Sequence, residues 1–254
     1  MLRRSEILSI THEKRLEGVK SDMNENIWTE FAKSYDQMIP ELNCYQRMLR
    51  KILRDTEDRR IVIDAGCGTG LVSQELIDRG HRVIGFDNNS AMLQRAHDKK
   101  AAASGEARDR WTVMEGSVEH FPSQVVSDAD AVLLNNVLFY VQDVESALRE
   151  VLSHLKPGGV MIATGPKRRP DLQKVLRHSI AEWQAEERFT EALQAALAHH
   201  STCAQKLTTD PNEMVTFFEV DQLVDTLRHL GFSRPLVADG DDYFGENYYV
   251  CMQK

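Results

Sequence analysis

The fold of this 254-residue chain is decided by the stretch Ile61-Val62-Ile63-Asp64-Ala65-Gly66-Cys67-Gly68-Thr69-Gly70. It begins as an apolar, β-branched run, which is typical of a strand buried on both faces. Three glycines at alternate positions follow, and from Leu71 the apolar residues recur at helical spacing. Glycine accepts positive φ and has no Cβ, so the backbone can come close to a ligand. The start of a helix adds unpaired N–H groups and the positive end of its dipole. The stretch therefore predicts a strand, a ligand-binding turn and a helix.

A second acidic residue follows the next apolar run. The segment Val83–Phe86 predicts another buried strand, and Asp87 stands at its end. In a βαβ unit a carboxylate at this position can accept hydrogen bonds from both ribose hydroxyls. The alternative is a solvated turn acid ahead of Asn88, but the glycine turn favours the ribose. The two motifs together predict a site for a nucleoside-containing cofactor.

The glycine turn resembles motif I of the class I S-adenosylmethionine-dependent methyltransferases, through the string Asp64-Ala65-Gly66-Cys67-Gly68-Thr69-Gly70. Dinucleotide sites favour the spacing G-x-G-x-x-G instead. Two other segments are similar to the family. One is Phe31-Ala32-Lys33-Ser34-Tyr35-Asp36, which matches the F-x-x-x-Y-D segment that helps to close the family's cofactor site. The other is the turn Lys156-Pro157-Gly158-Gly159 before an apolar strand. The resemblance extends from about Trp28 to Lys254.

The resemblance implies S-adenosyl-L-methionine as the cofactor. We expect it to be bound by Tyr35, Asp64, Gly66, Cys67, Gly68, Gly70, Asp87, Asn88, Ser117, Val118, Asn135 and Asn136. Ser117 stands where the family commonly carries an acid that accepts a hydrogen bond from the adenine amino group. A hydroxyl can accept that bond without the strength of a charged acceptor. Asn135 and Asn136 follow the fourth buried strand, where ligands of parallel sheets bind, although asparagines also cap turns.

The predicted elements and the resemblance indicate one α/β fold. We expect a Rossmann-like, seven-stranded, mostly parallel sheet with helices on both faces and an antiparallel last strand. Residues 1–26 are predicted to be a flexible leader and residues 27–254 a methyltransferase domain. Helical periodicity within 167–207, after strand five, predicts a helical insertion, which in the family covers the active site as a lid. We also expect Ser90 to cap the helix after strand two and 101–110 to form a surface loop.

Composition narrows the classes of partner. The formal net charge is −8, and an acidic surface repels a phosphate backbone, so we expect no nucleic-acid partner. No apolar run reaches the roughly 18 residues needed to span a membrane, so we expect a cytoplasmic protein without a membrane partner. The four cysteines are scattered without a C-x-x-C pair, which predicts neither a disulfide framework nor a metal site. They are Cys44, Cys67, Cys203 and Cys251.

The predicted function is transfer of a methyl group to an O or N atom of a small-molecule metabolite. A sulfonium is already a good leaving group, so positioning and desolvation can supply most of the catalysis. Where a proton must be removed, Tyr140 and His178 are the candidate acceptors, while His199 and His200 are interpreted as surface or packing residues. Three alternatives remain: aminocarboxypropyl transfer or cyclisation with the same cofactor, a noncatalytic cofactor-binding regulator, and a nicotinamide dehydrogenase.

Overall fold

The computed structural model describes residues 28–209 and 216–254 of the chain. The predicted leader over 1–26 therefore lies outside the described residues. The predicted boundary between leader and domain stays a prediction for the same reason.

A seven-stranded sheet forms the centre of the described part. Its strands are β1 (Ile61–Ala65), β2 (Arg82–Asp87), β3 (Trp111–Glu115), β4 (Ala129–Asn135), β5 (Leu155–Pro166), β6 (Arg234–Asp241) and β7 (Asn247–Gln253). They lie in the order β3-β2-β1-β4-β5-β7-β6. β1 to β5 pair in parallel, whereas β7 is antiparallel to both β5 and β6. The predicted fold, including the antiparallel last strand, is confirmed.

Helices cover both faces of this sheet. They are α1 (28–38), α2 (Asn43–Asp55), α3 (Leu71–Asp78), α4 (Ser90–Ala102), α5 (Gly105–Arg110), α6 (Val144–His154), α7 (Leu172–Ala185), α8 (Glu191–Thr209) and α9 (Val220–Leu230). Successive side chains of a strand point to opposite faces, so Val62 joins the core beneath α2 and α3, and Ile63 joins the core beneath α6 and α9. Short 3-10 helices occupy Ile39–Glu41 and Leu138–Tyr140.

Two local predictions were wrong. The cap of α4 is Asn89, whose side-chain oxygen accepts a hydrogen bond from the Met92 N–H at 3.0 Å, and Ser90 is the first helical residue. The expected surface loop over 101–110 is mostly helical, because α4 continues to Ala102 and α5 follows from Gly105. Alanine is the strongest helix former, and the small residues there favoured helix over loop.

The helices α7 and α8, which we call the lid, follow β5 as predicted. Trp183 of α7 is fully buried and its indole N–H donates to the Glu41 carbonyl at 2.9 Å. Glu246, also buried, accepts hydrogen bonds from the Asp171 N–H at the start of α7 and from the Lys174 ammonium. The lid is therefore fixed to both the N-terminal helices and the loop before β7.

Across residues 28–209 and 216–254, no helix combines the length and apolarity needed to cross a bilayer.

Candidate active site

A cavity of about 530 Å³ lies at the carboxyl ends of β1, β2 and β4, beneath α1 and the lid. The strand order reverses at β1, which pairs with β2 on one side and β4 on the other. Open α/β sheets bind ligands at such a switch point. Twelve of the predicted site residues line this cavity: Tyr35, Asp64, Gly66, Cys67, Gly68, Asp87, Asn88, Ser117, Val118, Asn135, Asn136 and Tyr140.

The glycine turn has the backbone that the sequence predicts. Gly66 has φ +77° and Gly68 has φ +55°, both in the left-handed region. A Cβ on Gly66 would come within 2.1 Å of a methyl group of Val137, so no side chain fits there. The Gly68 N–H donates to the carboxylate of Asp87 at 2.8 Å. This hydrogen bond joins the turn after β1 to the end of β2. The backbone of the turn remains open to the cavity.

Gly70 serves packing and does not line the cavity, contrary to its predicted role in cofactor binding. Its φ is +78°, and a Cβ there would meet the Trp111 ring at 2.9 Å and Ala96 at 3.2 Å. The third glycine lets α3 lie against α4 and β3. The spacing of Gly70 in the motif could not show whether it packs against other residues or contacts a ligand.

Asp87 organises the turn as well as lining the cavity. One carboxylate oxygen accepts the Gly68 N–H, and the other accepts the Asn89 N–H at 2.9 Å. Burial raises the pKa of Asp87, while these backbone hydrogen bonds oppose the rise. An acid with these bonds is held in one orientation, so it can present its remaining lone pairs to a diol.

Asp64 is almost fully buried at the end of β1. The Ser73 hydroxyl donates to it at 2.6 Å. Burial raises its pKa to about 6, helped by the charge of Asp87 and opposed by the hydrogen bonds from Ser73. A cationic ligand beside Asp64 would stabilise the ionised form and would bind it in preference to the protonated form.

We expect the affinity for S-adenosylmethionine to fall as the pH drops through about 6. The ligand is cationic at its sulfonium and amine, and below the pKa of Asp64 it must bind a protonated, neutral carboxyl group. One linked proton gives a loss of about tenfold per pH unit below that pKa. Calorimetric titrations from pH 5 to pH 8 measure this. Asp64→Asn should flatten the profile, and an equally steep profile in that variant would remove Asp64 from the contact.

The segment Tyr35-Asp36 closes one side of the cavity. Tyr35 lines it, and the Asp36 carboxylate accepts hydrogen bonds from Arg95 at 3.1 Å and from Lys99 at 2.5 Å. Lys99 also donates to the carbonyl oxygen of Thr69 at 2.9 Å. Asp36 therefore fixes α1 to α4 and, through Lys99, to the glycine turn. The sequence pattern predicted the closure, but the two cations that accomplish it were missed.

The polar side chains at the end of β4 and after β3 already make some hydrogen bonds within the protein. The side-chain oxygen of Asn135 accepts the Thr164 hydroxyl at 2.8 Å, and that of Asn136 accepts the Asn247 amide at 3.0 Å. The NH₂ group of each asparagine remains as a donor. Ser117 Oγ accepts the backbone N–H of Glu119 at 3.2 Å and keeps its own proton to donate.

The two predicted proton acceptors have different positions. Tyr140 lines the cavity, with its ring 5.7 Å from that of Trp28. His178 is exposed on the outer side of α7, does not line the cavity, and stacks on Phe244 at 4.8 Å. The geometry does not support His178 as a proton acceptor, because α7 directs Val175 and Leu176 to the cavity instead.

Sequence analysis missed several lining residues from distant segments. His200 of α8 is buried against α1, although it was interpreted only as a surface or packing residue. Tyr243 lies before β7 and, with φ +50°, occupies the left-handed region that non-glycine residues rarely adopt. The apolar pattern of α8 carried some signal for His200, since it falls on the stripe with Leu197. Nothing in the sequence around Tyr243 indicated that it would line the cavity.

The cavity is acidic and apolar. Its charged lining residues are Asp64, Asp87 and Glu119, and no Lys or Arg belongs to the lining formed by the described residues. Glu119 is already occupied by the backbone N–H groups of Gln142 and Asp143. The remaining wall is largely aromatic and aliphatic: Trp28, Phe31, Phe139, Leu172, Val175, Leu176 and Leu197.

The residues of the glycine turn fit a nucleoside cofactor. Within the described ranges, the buried hydroxyl oxygen of Thr69, which lines the cavity, has no hydrogen-bond partner. A Cβ on Gly68 would enter the cavity 3.2 Å from Met92, so the glycine preserves space at the wall. A parallel α/β domain with such a turn and an acid at the end of β2 is a nucleoside-binding domain of the Rossmann-like class.

Comparison with known proteins specifies the class. A family model described as a methyltransferase domain matches residues 63–163, from β1 to the end of the parallel core. This match supports the resemblance of the central part of the chain to the class I S-adenosylmethionine-dependent methyltransferases. The resemblance of its glycine turn to motif I is thereby confirmed.

Individual relatives share this central domain. The chain is 32% identical over 114 residues to the tRNA 5-carboxymethoxyuridine methyltransferase of Escherichia coli (strain K12), covering 44% of this chain and 43% of that protein. It is 33% identical over 118 residues to the demethylmenaquinone methyltransferase of Thermobifida fusca (strain YX), covering 46% and 48%. The chain thus spans less than half the length of these curated relatives.

A solved structure supports the fold over a longer range. The structure of a SAM-dependent methyltransferase from Thermotoga maritima aligns with a TM-score of 0.55, covering 90% of this chain and 99% of that chain at 18% identity. At this identity the similarity shows the fold alone, so the substrate must be argued from the cavity.

Proposed function

We propose that the protein transfers the methyl group of S-adenosylmethionine to an oxygen or nitrogen atom of a small, neutral, largely apolar molecule. The observation that carries the proposal is one cavity of about 530 Å³ that joins the glycine turn to the aromatic wall beneath the lid. Cavities of a few hundred Å³ or more enclose most of a small ligand's surface. The cofactor and the acceptor can therefore share one enclosed space.

The chain's own residues supply binding and orientation. The backbone of Gly66 and Gly68 offers a close approach, and Asp87 accepts the ribose hydroxyls. Asp64, Asn135 and Asn136 line the same space. When bound, S-adenosylmethionine supplies a methyl group on a sulfonium, which leaves readily. The lid and α1 exclude water, so positioning and desolvation provide the rate acceleration.

The charge of the cavity supports a neutral acceptor. A carboxylate or phosphate brought beside Asp64 and Asp87 would lose its hydration without gaining a cationic partner from the described lining. The formal net charge of −8 likewise disfavours a nucleic-acid substrate. A small molecule with an aromatic or aliphatic body matches the apolar wall of the cavity. Methylation of a tRNA in the assay would contradict this part of the proposal.

The proposal includes a cytoplasmic location and a division into a leader over 1–26 and a methyltransferase domain over 27–254. The four cysteines are free and buried, which supports a reducing compartment. Fractionation of cells that express the tagged chain checks the location.

A product assay tests the chemistry. We expect incubation of the protein with S-adenosylmethionine and a panel of neutral phenols, alcohols and amines to yield S-adenosylhomocysteine and a methylated acceptor. Mass spectrometry identifies both products. Methylthioadenosine in place of S-adenosylhomocysteine would indicate aminocarboxypropyl transfer. Cofactor binding without turnover of phenols, amines or transcribed tRNA would indicate a noncatalytic regulator.

A further inference from the structure

His200 of α8 occupies an unusual position for a histidine of the lid. Its side chain is buried, with only 8% of its surface exposed, and it lines the same cavity as the glycine turn and Asp87. Its ring stacks on Phe31 with 5.3 Å between centroids, and the ring of Tyr35 lies at 6.2 Å. The histidine is therefore held between two aromatic side chains of α1 at the wall of the cavity.

The two contacts of the Ser34 hydroxyl favour one tautomer of His200. The Ser34 hydroxyl donates to the carbonyl oxygen of Phe31 at 3.0 Å. The same oxygen lies 3.1 Å from Nδ1 of His200. A hydroxyl has one proton, so both contacts are hydrogen bonds only when Ser34 donates to Phe31 and accepts from Nδ1–H, and we assign this tautomer. In the neutral ring, Nε2 then carries the lone pair, and Ser34 is the only hydrogen-bond partner of His200 among the described residues.

We propose that Nε2 of His200 accepts the proton of a hydroxyl group on the acceptor, which makes the substrate an alcohol or a phenol. This inference rests on the proposed function and refines it, because that function left oxygen and nitrogen acceptors open. The supporting geometry is the shared cavity, the buried ring and the lone pair that Ser34 assigns to Nε2.

The methyl transfer forms one carbon–oxygen bond and breaks one carbon–sulfur bond. The acceptor oxygen forms a bond to the methyl carbon with one of its lone pairs. The electrons of the carbon–sulfur bond pass to sulfur, which becomes a neutral thioether. The hydroxyl proton moves to Nε2 of His200, giving an imidazolium, and then leaves to water. The net products are the methyl ether, S-adenosylhomocysteine and one proton.

The basicity of His200 is sufficient to accept the proton of a hydroxyl group that is being methylated. Burial lowers the pKa of His200 to about 4, with a smaller effect from His199, so the ring is neutral at physiological pH. As the new bond forms, the hydroxyl becomes a protonated ether, which is a far stronger acid than an imidazolium of this pKa. Proton transfer to Nε2 is then downhill. A methylated ammonium is a much weaker acid and would keep its proton, so methylation of an amine would gain nothing from His200.

Nitrogen NMR tests the inference without turnover. The protein is labelled with ¹⁵N-histidine, saturated with S-adenosylhomocysteine and titrated with phenol, and His200 is assigned by its absence in His200→Gln. We expect Nδ1 to be protonated and Nε2 unprotonated, with the Nε2 signal shifting on phenol addition. Ser34→Ala should allow the opposite tautomer to appear. An unprotonated Nδ1 in the wild type, or an Nε2 signal unchanged by saturating phenol, would overturn the inference.

Kinetics with acceptors of graded acidity test the chemical role. In His200→Gln we expect kcat for neutral phenols to fall by about 100-fold or more, the usual range for acid–base catalysis. For 4-nitrophenol, ionised at the assay pH, we expect slow turnover because the described lining offers no cation, but less than a threefold difference in kcat between the wild type and His200→Gln, since no proton remains to be accepted. His199→Gln, which changes an exposed histidine on the same helix, is the matched control.

The outcomes separate the two proposals. Equal loss of kcat on neutral and ionised phenols, or loss of cofactor affinity in His200→Gln, would make His200 a packing residue and overturn the inference. Turnover of amines alone by the wild type would also overturn it while leaving the proposed function intact. If the wild type methylates no acceptor, the proposed function fails, and the NMR titration still decides whether Nε2 of His200 accepts a hydrogen bond from a hydroxyl group.

Discussion

Gly68→Val is expected to abolish cofactor binding, with the Kd of S-adenosylhomocysteine rising by more than about 100-fold. Gly68 has φ +55°, which a β-branched residue adopts only under strain. Its added Cβ would stand 3.2 Å from Met92, and both residues line the cavity. The valine methyl groups therefore enter the space that the cofactor requires. Calorimetric titration measures the loss.

Gly80→Ala is the matched control for backbone strain. Gly80 also has a positive φ, +92°, but a Cβ there meets no atom within 4 Å. The alanine should destabilise the fold by about 1–2 kcal/mol, the cost of a left-handed residue, and should leave cofactor affinity unchanged. Thermal unfolding and calorimetry of both variants separate strain from blocked approach. A Gly68→Val protein that folds and binds normally would overturn the assignment of the glycine turn to the cofactor.

Asp87→Ala is expected to weaken cofactor binding by roughly 1.5–3 kcal/mol, the range for hydrogen bonds to a charged group. This corresponds to about a ten- to hundred-fold rise in Kd. The carboxylate has two tasks, because it accepts the N–H groups of Gly68 and Asn89 and faces the cavity. Asp87→Asn retains one acceptor oxygen, so its loss should be smaller than that of alanine.

The same charge change at the surface controls for electrostatics. Asp98, exposed on α4, accepts a hydrogen bond from Gln94 and lies outside the cavity lining, so Asp98→Asn should leave the Kd unchanged. Burial raises the pKa of Asp87, which means that the folded chain holds an unfavourably desolvated charge there. The neutral asparagine should therefore not lower the melting temperature through loss of charge. Unchanged cofactor affinity in Asp87→Ala would exclude Asp87 from the site.

Local patterns were sufficient for the parallel core. The apolar runs predicted β1 and β2, which the structure has at Ile61–Ala65 and Arg82–Asp87. The errors there were also local: Asn89 competed with Ser90 for the same cap, and alanines extended α4. Backbone preferences and hydrophobic periodicity depend on a few neighbouring residues. The local sequence is therefore enough to predict the elements that they produce.

Local sequence patterns were enough to predict the strand–turn–helix unit, the acid after β2 and the resemblance to the class I methyltransferases. Tertiary structure alone decided that Gly70 packs against Trp111, that His178 faces outward, and that Asp36 binds Lys99. It also decided that His200 meets Ser34 from 166 positions away. The physical reason is that side chains so distant in sequence meet only when helices pack. No local preference specifies which residues of two packed helices come into contact.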